Sequence, residues 1–204
     1  MTEVKHRVGI IGAGVIADFH AQALQAMQGV ELVAAFARNP DKASAFGVKY
    51  GCAGYSDLEL FLRHQGMNVV TVGSVSGVHL EHVRSAACAG KHVICEKPLE
   101  VTTDRVDEMI RVCEEQGVML SGIFPRRFND STSIFKNALR AGRLGKVVLC
   151  DTSIKWWRTQ EYYDSGAWRG SWDLDGGGAL MNQSIHTVDL MLHLMGEVRA
   201  VWAS

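Results

Sequence analysis

The stretch that decides the fold is R-V-G-I-I-G-A-G-V-I-A, at residues 7–17. A short apolar run stops at a G-x-G-x-x-A pattern, and an apolar pattern with helical spacing follows, as in a dinucleotide-binding loop. Gly12 permits the tight turn, Gly14 lets the backbone approach a pyrophosphate, and Ala17 is small enough for the helix to pack on the strand. We therefore predict that a nucleotide binds at the positive end of the first helix, against Gly12, Ala13, Gly14, Val15 and Ile16.

Strands and helices alternate after this loop, each ending at a glycine or turn signal. Strands are predicted over 30–36, 69–73, 92–95 and 118–124, and helices over about 15–28, 40–49, 78–89 and a stretch ending at Gly117. Asn39-Pro40 is typical of a helix start, and Ser56-Asp57-Leu58-Glu59 predicts a capping box. The alternation predicts an α/β fold, a Rossmann doubly wound parallel sheet over residues 1–124, with ligands at the carboxyl ends of its strands.

Residues 125–204 have a different character and predict an incomplete second α/β (α+β) domain. We expect helices over 131–141 and 179–195, and strands over 146–155 and from Val198 onward. Two strands and two helices make a poor domain alone. Either the gene product is longer or something else covers the exposed sheet edge, so we expect marginal stability or self-association of this chain.

Composition argues against several classes of protein. Apolar residues make up 47%, charged residues 21%, and the net charge is -1, which gives no basic excess for nucleic acid. No apolar stretch is long enough to span a membrane. The five cysteines show no C-x-x-C pair, and the histidines show no metal-binding spacing beyond His79 and His82, which we interpret as helix-start and surface residues. We expect a soluble cytoplasmic protein with reduced, mostly buried thiols and no metal.

Three separated motifs together resemble the Gfo/Idh/MocA oxidoreductases, a family that includes glucose–fructose oxidoreductase and inositol dehydrogenases. They are the glycine loop, A-G-K-H-V at 89–93 followed by C-E-K-P at 95–98, and G-G-G-A-L-M-N-Q-S-I-H-T-V-D at 176–189. The resemblance implies a nicotinamide-binding domain and a larger α/β domain with an open antiparallel sheet, often used for oligomerisation. It also implies a catalytic lysine at Lys97 and an acid/base histidine at His186. Asn182 stands where several members have an aspartate.

The residues themselves are compatible with proton transfer. Lys97 is predicted at a strand's carboxyl end, where partial desolvation lowers the pKa of a lysine. Asn182 and His186 are four residues apart on a predicted helix and share a face. The plain alternative is an exposed lysine before a proline turn and a satisfied helix histidine. Asp189 either orients His186 or is solvated, and the sequence does not decide between them.

The end of the second predicted strand bears on the choice of cofactor. NAD sites usually place an acid about 20 residues beyond the loop, whereas this chain has Ala37 and Arg38 there. A missing carboxylate removes repulsion of a 2′-phosphate, and an arginine can pair with one. NADP is therefore favoured and NAD remains possible, unless Arg38 stacks on adenine or is merely solvated. Further cofactor contacts are expected at Ser74, His79, Glu96, Lys97 and Arg169, although Gly73-Ser74 departs from the Thr-Pro of many relatives.

An aromatic loop with interleaved arginines follows at residues 156–172. Flat apolar faces beside hydrogen-bonding groups suit a pyranose or cyclitol ring, although each ring could instead pack on the second domain. The predicted substrate residues are Lys97, Arg126, Trp157, Tyr163, Trp168, Asn182 and His186. We predict an NAD(P)-dependent oxidoreductase acting on a sugar, sugar derivative or cyclitol, homo-oligomeric at full length. The alternative is a non-catalytic nucleotide-binding regulator, which needs neither Lys97 nor His186.

Overall fold

Six parallel strands form one sheet in the order β3-β2-β1-β4-β5-β6 in the computed structural model, which describes residues 6–203. The strands are β1 His6–Ile11, β2 Val30–Phe36, β3 Ala53–Tyr55, β4 Val69–Val72, β5 His92–Cys95 and β6 Leu120–Gly122. All neighbouring strands are parallel. This order is that of the doubly wound dinucleotide-binding fold and confirms the predicted Rossmann-type architecture.

The register places the carboxyl ends of the strands level with one another. Ile11 pairs with Phe36 on one side and with Val72 on the other. Val72 in turn pairs with Cys95, and Cys95 with Gly122. The loops that follow these strands therefore meet at one edge of the sheet, at the point where the strand order reverses between β1 and β4.

The helices of the first part are α1 Val15–Ala26, α2 Pro40–Tyr50, α3 Leu58–Leu62, α4 His79–Cys88 and α5 Thr103–Glu115. Asn39 caps α2 as predicted, since its side-chain oxygen accepts from the Lys42 N–H at 3.0 Å. The predicted capping box is wrong by one residue, because Asp57 caps α3 and accepts from the Leu60 N–H at 2.9 Å. Strand β3 was not predicted, because three residues with a central glycine carry no apolar alternation.

Two apolar clusters cover the two faces of the sheet. One contains Phe61, Val72 and Met109, and the other contains Ile10 and Phe46. Such apolar burial is the main stabilising term of this part of the chain. The five cysteines are free, as expected, but only two are buried, so the expectation of mostly buried thiols is wrong.

The second part contains helices without a described strand between residues 125 and 203. They are α6 Asp130–Arg140, α7 Gln160–Asp164, α8 Trp172–Asp175, α9 Gly178–Asn182 and α10 Ile185–Met195. The strands predicted over 146–155 and from Val198 are therefore wrong for this structure. A strand requires a hydrogen-bonded neighbour, and no described segment offers one to these residues, so apolar alternation alone does not produce a sheet.

The predicted helix over 179–195 is broken in two at Gln183 and Ser184. The Ser184 backbone N–H bonds to the Ala179 carbonyl at 3.0 Å, a wider turn than an α-helix has. The Thr187 N–H then bonds to the Ser184 carbonyl at 2.8 Å and opens α10. The break leaves the Asn182 carbonyl outside the helical hydrogen-bond pattern, so this oxygen can accept a hydrogen bond from a side chain.

Candidate active site

The glycine loop after β1 closes tightly against the loop after β4. Gly12 has a φ of +120°, and a Cβ on it would lie 2.9 Å from the Gly73 carbonyl oxygen. Gly14 caps α1 with no side-chain hydrogen bond, and a Cβ added there would meet nothing within 4 Å. The first N–H groups of α1 therefore face open space, and this arrangement fits a dinucleotide pyrophosphate.

A cleft of about 790 Å³ extends from this loop across the carboxyl edge of the sheet. Nearly all the predicted cofactor residues line it: Gly12, Ala13, Gly14, Val15, Ile16, Arg38, Ser74, Glu96, Lys97 and Arg169. Lys42 and His82 also line it and were not predicted. Lys42 lies in the first turn of α2, six residues after the end of β2.

His79 does not line the cleft, so its prediction as a cofactor contact needs correction. The side chain is 1% exposed. Its Nε2 lies 3.0 Å from the Ser74 carbonyl oxygen, and its Nδ1 lies 3.0 Å from that of Pro98. Because both ring nitrogens are engaged by backbone, His79 joins the turns after β4 and β5 beneath the cleft and presents no atom to a ligand.

His82 is half-buried in the cleft, not on the surface as the sequence suggested. Its Nδ1 lies 2.9 Å from the Ser74 hydroxyl. Burial, with further contributions from His79 and Arg38, lowers the pKa of His82 to about 4, although Glu81 acts to raise it. A neutral imidazole therefore stands beside the predicted cofactor contact Ser74 at pH 7.

Lys97 follows β5 and lies where the dinucleotide cleft meets a second cavity. Its Nζ donates to the Asn182 backbone carbonyl at 3.1 Å, the oxygen freed by the break between α9 and α10. Burial lowers the pKa of Lys97, and Arg169 adds to this, whereas Glu96 and Asp175 act to raise it. The predicted desolvation of this lysine is therefore present, and a lowered pKa favours exchange of its proton.

Glu96 is held by two partners behind Lys97. Its Oε1 lies 3.0 Å from Nε2 of His20, and its Oε2 accepts from the Lys97 backbone N–H at 3.0 Å. Burial acts to raise the pKa of Glu96, but these hydrogen bonds outweigh it and the pKa is lowered. His20, on α1, also lies 3.2 Å from the Thr71 hydroxyl. The dinucleotide helix is thus tied to the Glu-Lys-Pro turn by a residue that carried no signal in the sequence.

The second cavity, of about 420 Å³, brings Lys97 and His186 together. Its lining consists of Lys97, Pro125, Arg126, Trp156, Arg158, Tyr162, Asn182, Gln183 and His186. Burial, then the charges of Lys97 and Arg126, lowers the pKa of His186, so its imidazole is neutral at pH 7. Its buried Nδ1 has no hydrogen-bond partner among residues 6–203. This nitrogen is therefore left without a partner within the described protein.

The side chain of Asn182 is engaged within the protein. It donates to the buried carboxylate of Asp175, which also accepts from the Gly170 N–H at 2.8 Å. Asp175 was not predicted, and its position just before the three glycines was the available signal. Asp189 neither orients His186 nor is solvated, because Arg127 binds both of its carboxylate oxygens.

The aromatic loop contributes different rings from those predicted. Trp156 lines the second cavity, whereas Trp157 is 85% exposed. Tyr162 lines both cavities, and neither includes Tyr163. Trp168 lines the dinucleotide cleft. Adjacent residues point to different sides of a chain, and in an irregular loop the sequence gives no period that selects one of them.

Between residues 6 and 203 no group of three or more His, Cys, Asp or Glu side chains is placed to hold a metal ion. No helix in the same range is long and apolar enough to cross a membrane.

Relatives of this architecture include several dehydrogenases. The chain is 33% identical over 198 residues to the D-glucoside 3-dehydrogenase of Escherichia coli, covering 96% of this chain and 56% of that protein. It is 31% identical to the myo-inositol 2-dehydrogenase of Thermotoga maritima, covering 94% and 55%. The WlbA dehydrogenase of Bordetella pertussis, solved with NADH and UDP-GlcNAcA, superposes with a TM-score of 0.91 at 34% identity, covering 97% and 57%.

The chain thus spans a little over half the length of these relatives. A family model described as an oxidoreductase family with an NAD-binding Rossmann fold matches residues 6–124. A model of the GFO/IDH/MocA C-terminal domain matches residues 134–204. The glycine loop, the Glu-Lys-Pro turn and the His186 helix all fall within these matches. The chain belongs to the GFO/IDH/MocA family of oxidoreductases.

Proposed function

We propose that the protein is an NAD(P)-dependent oxidoreductase that transfers a hydride between the nicotinamide and a secondary alcohol or ketone carbon of a sugar, sugar derivative or cyclitol. One observation carries the proposal: Lys97 lines the dinucleotide cleft and also shares a cavity with His186. Proton-exchanging groups therefore stand at the junction of a cofactor site and a sugar-sized cavity. The activities named for the glucoside and myo-inositol relatives support the same reaction class.

The chain's own residues supply the proton chemistry. When bound, the nicotinamide supplies or accepts the hydride. Oxidation of an alcohol also requires a base for the hydroxyl proton, and the neutral His186 with its unpartnered Nδ1 offers one. Lys97, with its lowered pKa, exchanges a proton on the same side of the cavity while the Asn182 carbonyl holds its ammonium group. Glu96 fixes the turn that carries Lys97.

We also propose that NADP is the preferred cofactor, with NAD as the weaker alternative. Arg38 and Lys42 line the cleft at the end of β2, and Glu96 is the one acidic residue in the described lining. Because Glu96 lies at the opposite end and pairs with His20, nothing in that lining repels a 2′-phosphate near Arg38. Two solved WlbA relatives contain NADH, so the two cofactors must be compared directly.

Titration of both reduced cofactors by fluorescence tests this preference. Arg38→Ala should weaken NADPH binding by roughly 1.5–3 kcal/mol, because a charge-assisted bond to phosphate is lost, and should leave NADH binding nearly unchanged. Arg63→Ala, at an exposed position outside the cleft, is the matched control. Equal or tighter binding of NADH by the unaltered protein would refute the NADP preference.

A Lys97→Met variant tests the catalytic proposal. The full protein encoded by the gene is first screened against sugars, sugar derivatives and inositols with both nicotinamides. On the substrate found, Lys97→Met should lower turnover about 10²–10⁴-fold, since a proton carrier is removed, with cofactor affinity nearly unchanged. Lys146→Met, at an exposed position, should behave like the unaltered protein. Near-native turnover of Lys97→Met would exclude this lysine and favour a non-catalytic regulator or another base.

The domain division is proposed at residue 124, with 1–124 binding the nucleotide and 125–204 beginning a substrate and oligomerisation domain. The end of β6 at Gly122 and the separate family matches support this boundary. A homo-oligomer of the full-length protein without nucleic-acid or membrane partners stays a prediction, which sedimentation of that protein would test.

A further inference from the structure

The cavity shared by Lys97 and His186 carries an excess of positive charge. Arg126, Arg158 and Lys97 line it, and no carboxylate does. The remaining lining is aromatic, amide, imidazole or proline. A cavity built only for the hydroxyl groups of a neutral sugar needs hydrogen-bonding partners, but it does not need fixed guanidinium charges.

Neither arginine in this cavity is neutralised by the described chain. Arg126 donates to the Thr187 hydroxyl at 2.9 Å and lies 5.4 Å from the ring of Trp156. Arg158 lies 5.6 Å from the same ring and 4.9 Å from that of Tyr162. Its buried Nε has no hydrogen-bond partner within residues 6–203. Partly desolvated guanidinium groups without an anion are costly.

Other arginines of the chain form ion pairs with carboxylates. Arg127, the neighbour of Arg126, binds both carboxylate oxygens of Asp189. Arg105 pairs with Glu81 and Glu100. The two cavity arginines have no such carboxylate partner among the described residues, and they stand at the same cavity.

Two carboxylates that act on Lys97 are already engaged within the protein. Glu96 binds His20 and the Lys97 N–H, and Asp175 accepts from Asn182 and the Gly170 N–H. Their charges partly offset that of Lys97. Neither group forms an ion pair with the cavity arginines among the described residues, so within this part of the chain their charge is left for a bound anion to balance.

We propose that the substrate is an anionic sugar, whose carboxylate or phosphate is held by Arg126 and Arg158 while its reacting carbon faces Lys97 and His186. This inference rests on the proposed function and narrows its substrate class. Guanidinium groups match both anions through paired N–H donors. Trp156, which lies beside both arginines, offers an apolar face to the sugar ring. The cavity volume of about 420 Å³ is of the size that small-molecule sites have.

Calorimetric titration of the full protein, saturated with its preferred oxidised nicotinamide, tests the inference. The probes are glucuronate, glucose 6-phosphate, methyl glucoside, myo-inositol, acetate and inorganic phosphate. At least one of the two anionic sugars should bind about tenfold or more tightly than either neutral compound, and its affinity should fall with added salt. The anionic sugar that binds more tightly shows whether the carboxylate or the phosphate is the recognised group.

Arg126→Gln and Arg158→Gln should each reduce the affinity for the anionic sugar by about tenfold and leave that for neutral compounds within about twofold. Arg143→Gln, at an exposed position of the same part of the chain, is the matched control, and thermal melting verifies that each variant folds. Equal binding of neutral and anionic sugars, or an anion preference that survives in the double variant, would overturn the inference. So would acetate or phosphate binding as tightly as the anionic sugar.

Turnover measurements separate this inference from the proposed function. Lys97-dependent turnover of neutral compounds together with no anion preference would retain the oxidoreductase and reject the anionic substrate. Arginine-dependent binding of an anionic sugar without reduction of nicotinamide would reject the oxidoreductase and retain the recognition of the anion.

Discussion

Residues 6–124 and residues 125–203 bury opposite kinds of side chain. In the first part the buried side chains are mainly apolar and include Phe61, Ile10 and Met109. In the second part every buried side chain is polar: Thr132, Asp175, Gln183, Ser184 and Asp189. The first part therefore has a hydrophobic core of its own, whereas the described portion of the second part has none.

A polar contact joins the two parts, since Lys97 bonds to the Asn182 carbonyl. Within the second part, Arg127 pairs with Asp189 and Arg126 bonds to Thr187. Meanwhile large apolar side chains stay exposed. The nucleotide-binding part is therefore stabilised mainly by apolar burial, whereas the described second part relies on hydrogen bonds and the ion pair of Arg127 with Asp189.

The largest expected effect is on the core of the first part. Phe61 is fully buried and packs near the rings of Phe36 and Tyr55. Phe61→Ala should lower the free energy of unfolding by about 3–5 kcal/mol, because burial is lost and a cavity remains. Phe128→Ala, at an 83% exposed ring of the second part, should change it by less than about 0.5 kcal/mol. Urea unfolding followed by circular dichroism measures both, and equal losses would show that the two parts do not differ in this way.

The next effect concerns acid stability and His82. Its pKa is about 4 in the folded chain and about 6.5 when unfolded. Between these values the unfolded chain binds more protons at this ring, so stability falls as the pH falls from 6.5 to 4. The loss from this ring should reach on the order of 3 kcal/mol at pH 4.

His82→Gln removes this titration and should flatten the dependence of stability on pH relative to the unaltered chain. Carboxylates with lowered pKa that do not act on His82, such as Asp18 and Glu96, contribute equally to both proteins and cancel in the difference. His6→Gln, at an exposed position, should leave the curve unchanged. Parallel curves for His82→Gln and the unaltered chain would contradict the assignment of a buried neutral ring.

A smaller effect is expected from the ion pair that holds α10 against the start of the second part. Arg127→Met keeps the aliphatic stem but leaves the carboxylate of Asp189, 7% exposed, without its partner. Stability should fall by about 1–3 kcal/mol because a buried charged group is unsatisfied. Hydrogen exchange should rise chiefly in α10. The exposed pair of Arg63 and Glu59 supplies the control: Arg63→Met should cost under about 0.5 kcal/mol, and an equal cost at both sites would refute the role of Arg127 in holding α10.

The smallest effect on stability is expected at exposed apolar residues of the second part. Val148 and Leu149 are 85% and 81% exposed. Replacing both by serine should change the free energy of unfolding by no more than about 0.5 kcal/mol, yet it should reduce self-association of the chain. Sedimentation velocity measures this. If the unaltered chain sediments as a monomer at every concentration, the apolar surface does not drive association.

Local signals predicted the first part well because each strand and helix there carries its own pattern. The glycine loop, the Asn39 cap and the Glu-Lys-Pro turn all lie at the ends of elements that the sequence defines. The strand predicted at 146–155 failed because its formation depends on a partner strand. The helix predicted over 179–195 was interrupted at Gln183 and Ser184, where no proline marks the break in the sequence.

The candidate site likewise contains some residues that motifs predicted and others whose role is visible only in the folded chain. Lys97 and His186 were predicted from motifs, and the structure places them on one cavity. Arg158 and Asp175 acquire their importance only from what they contact. Trp156, not Trp157, lines the cavity, since the direction of a side chain in an irregular loop depends on the surrounding packing.

The sequence by itself determined the parallel α/β sheet, the nucleotide loop and the presence of Lys97 and His186, because these depend on short-range spacing and local backbone preferences. Only the tertiary structure decided that Lys97 binds the carbonyl freed at Asn182, that Arg127 pairs with Asp189, and that Arg126 and Arg158 line one cavity without a carboxylate partner among the described residues. These outcomes depend on distances between residues far apart in the chain and on which charges are neutralised, and no local pattern records either.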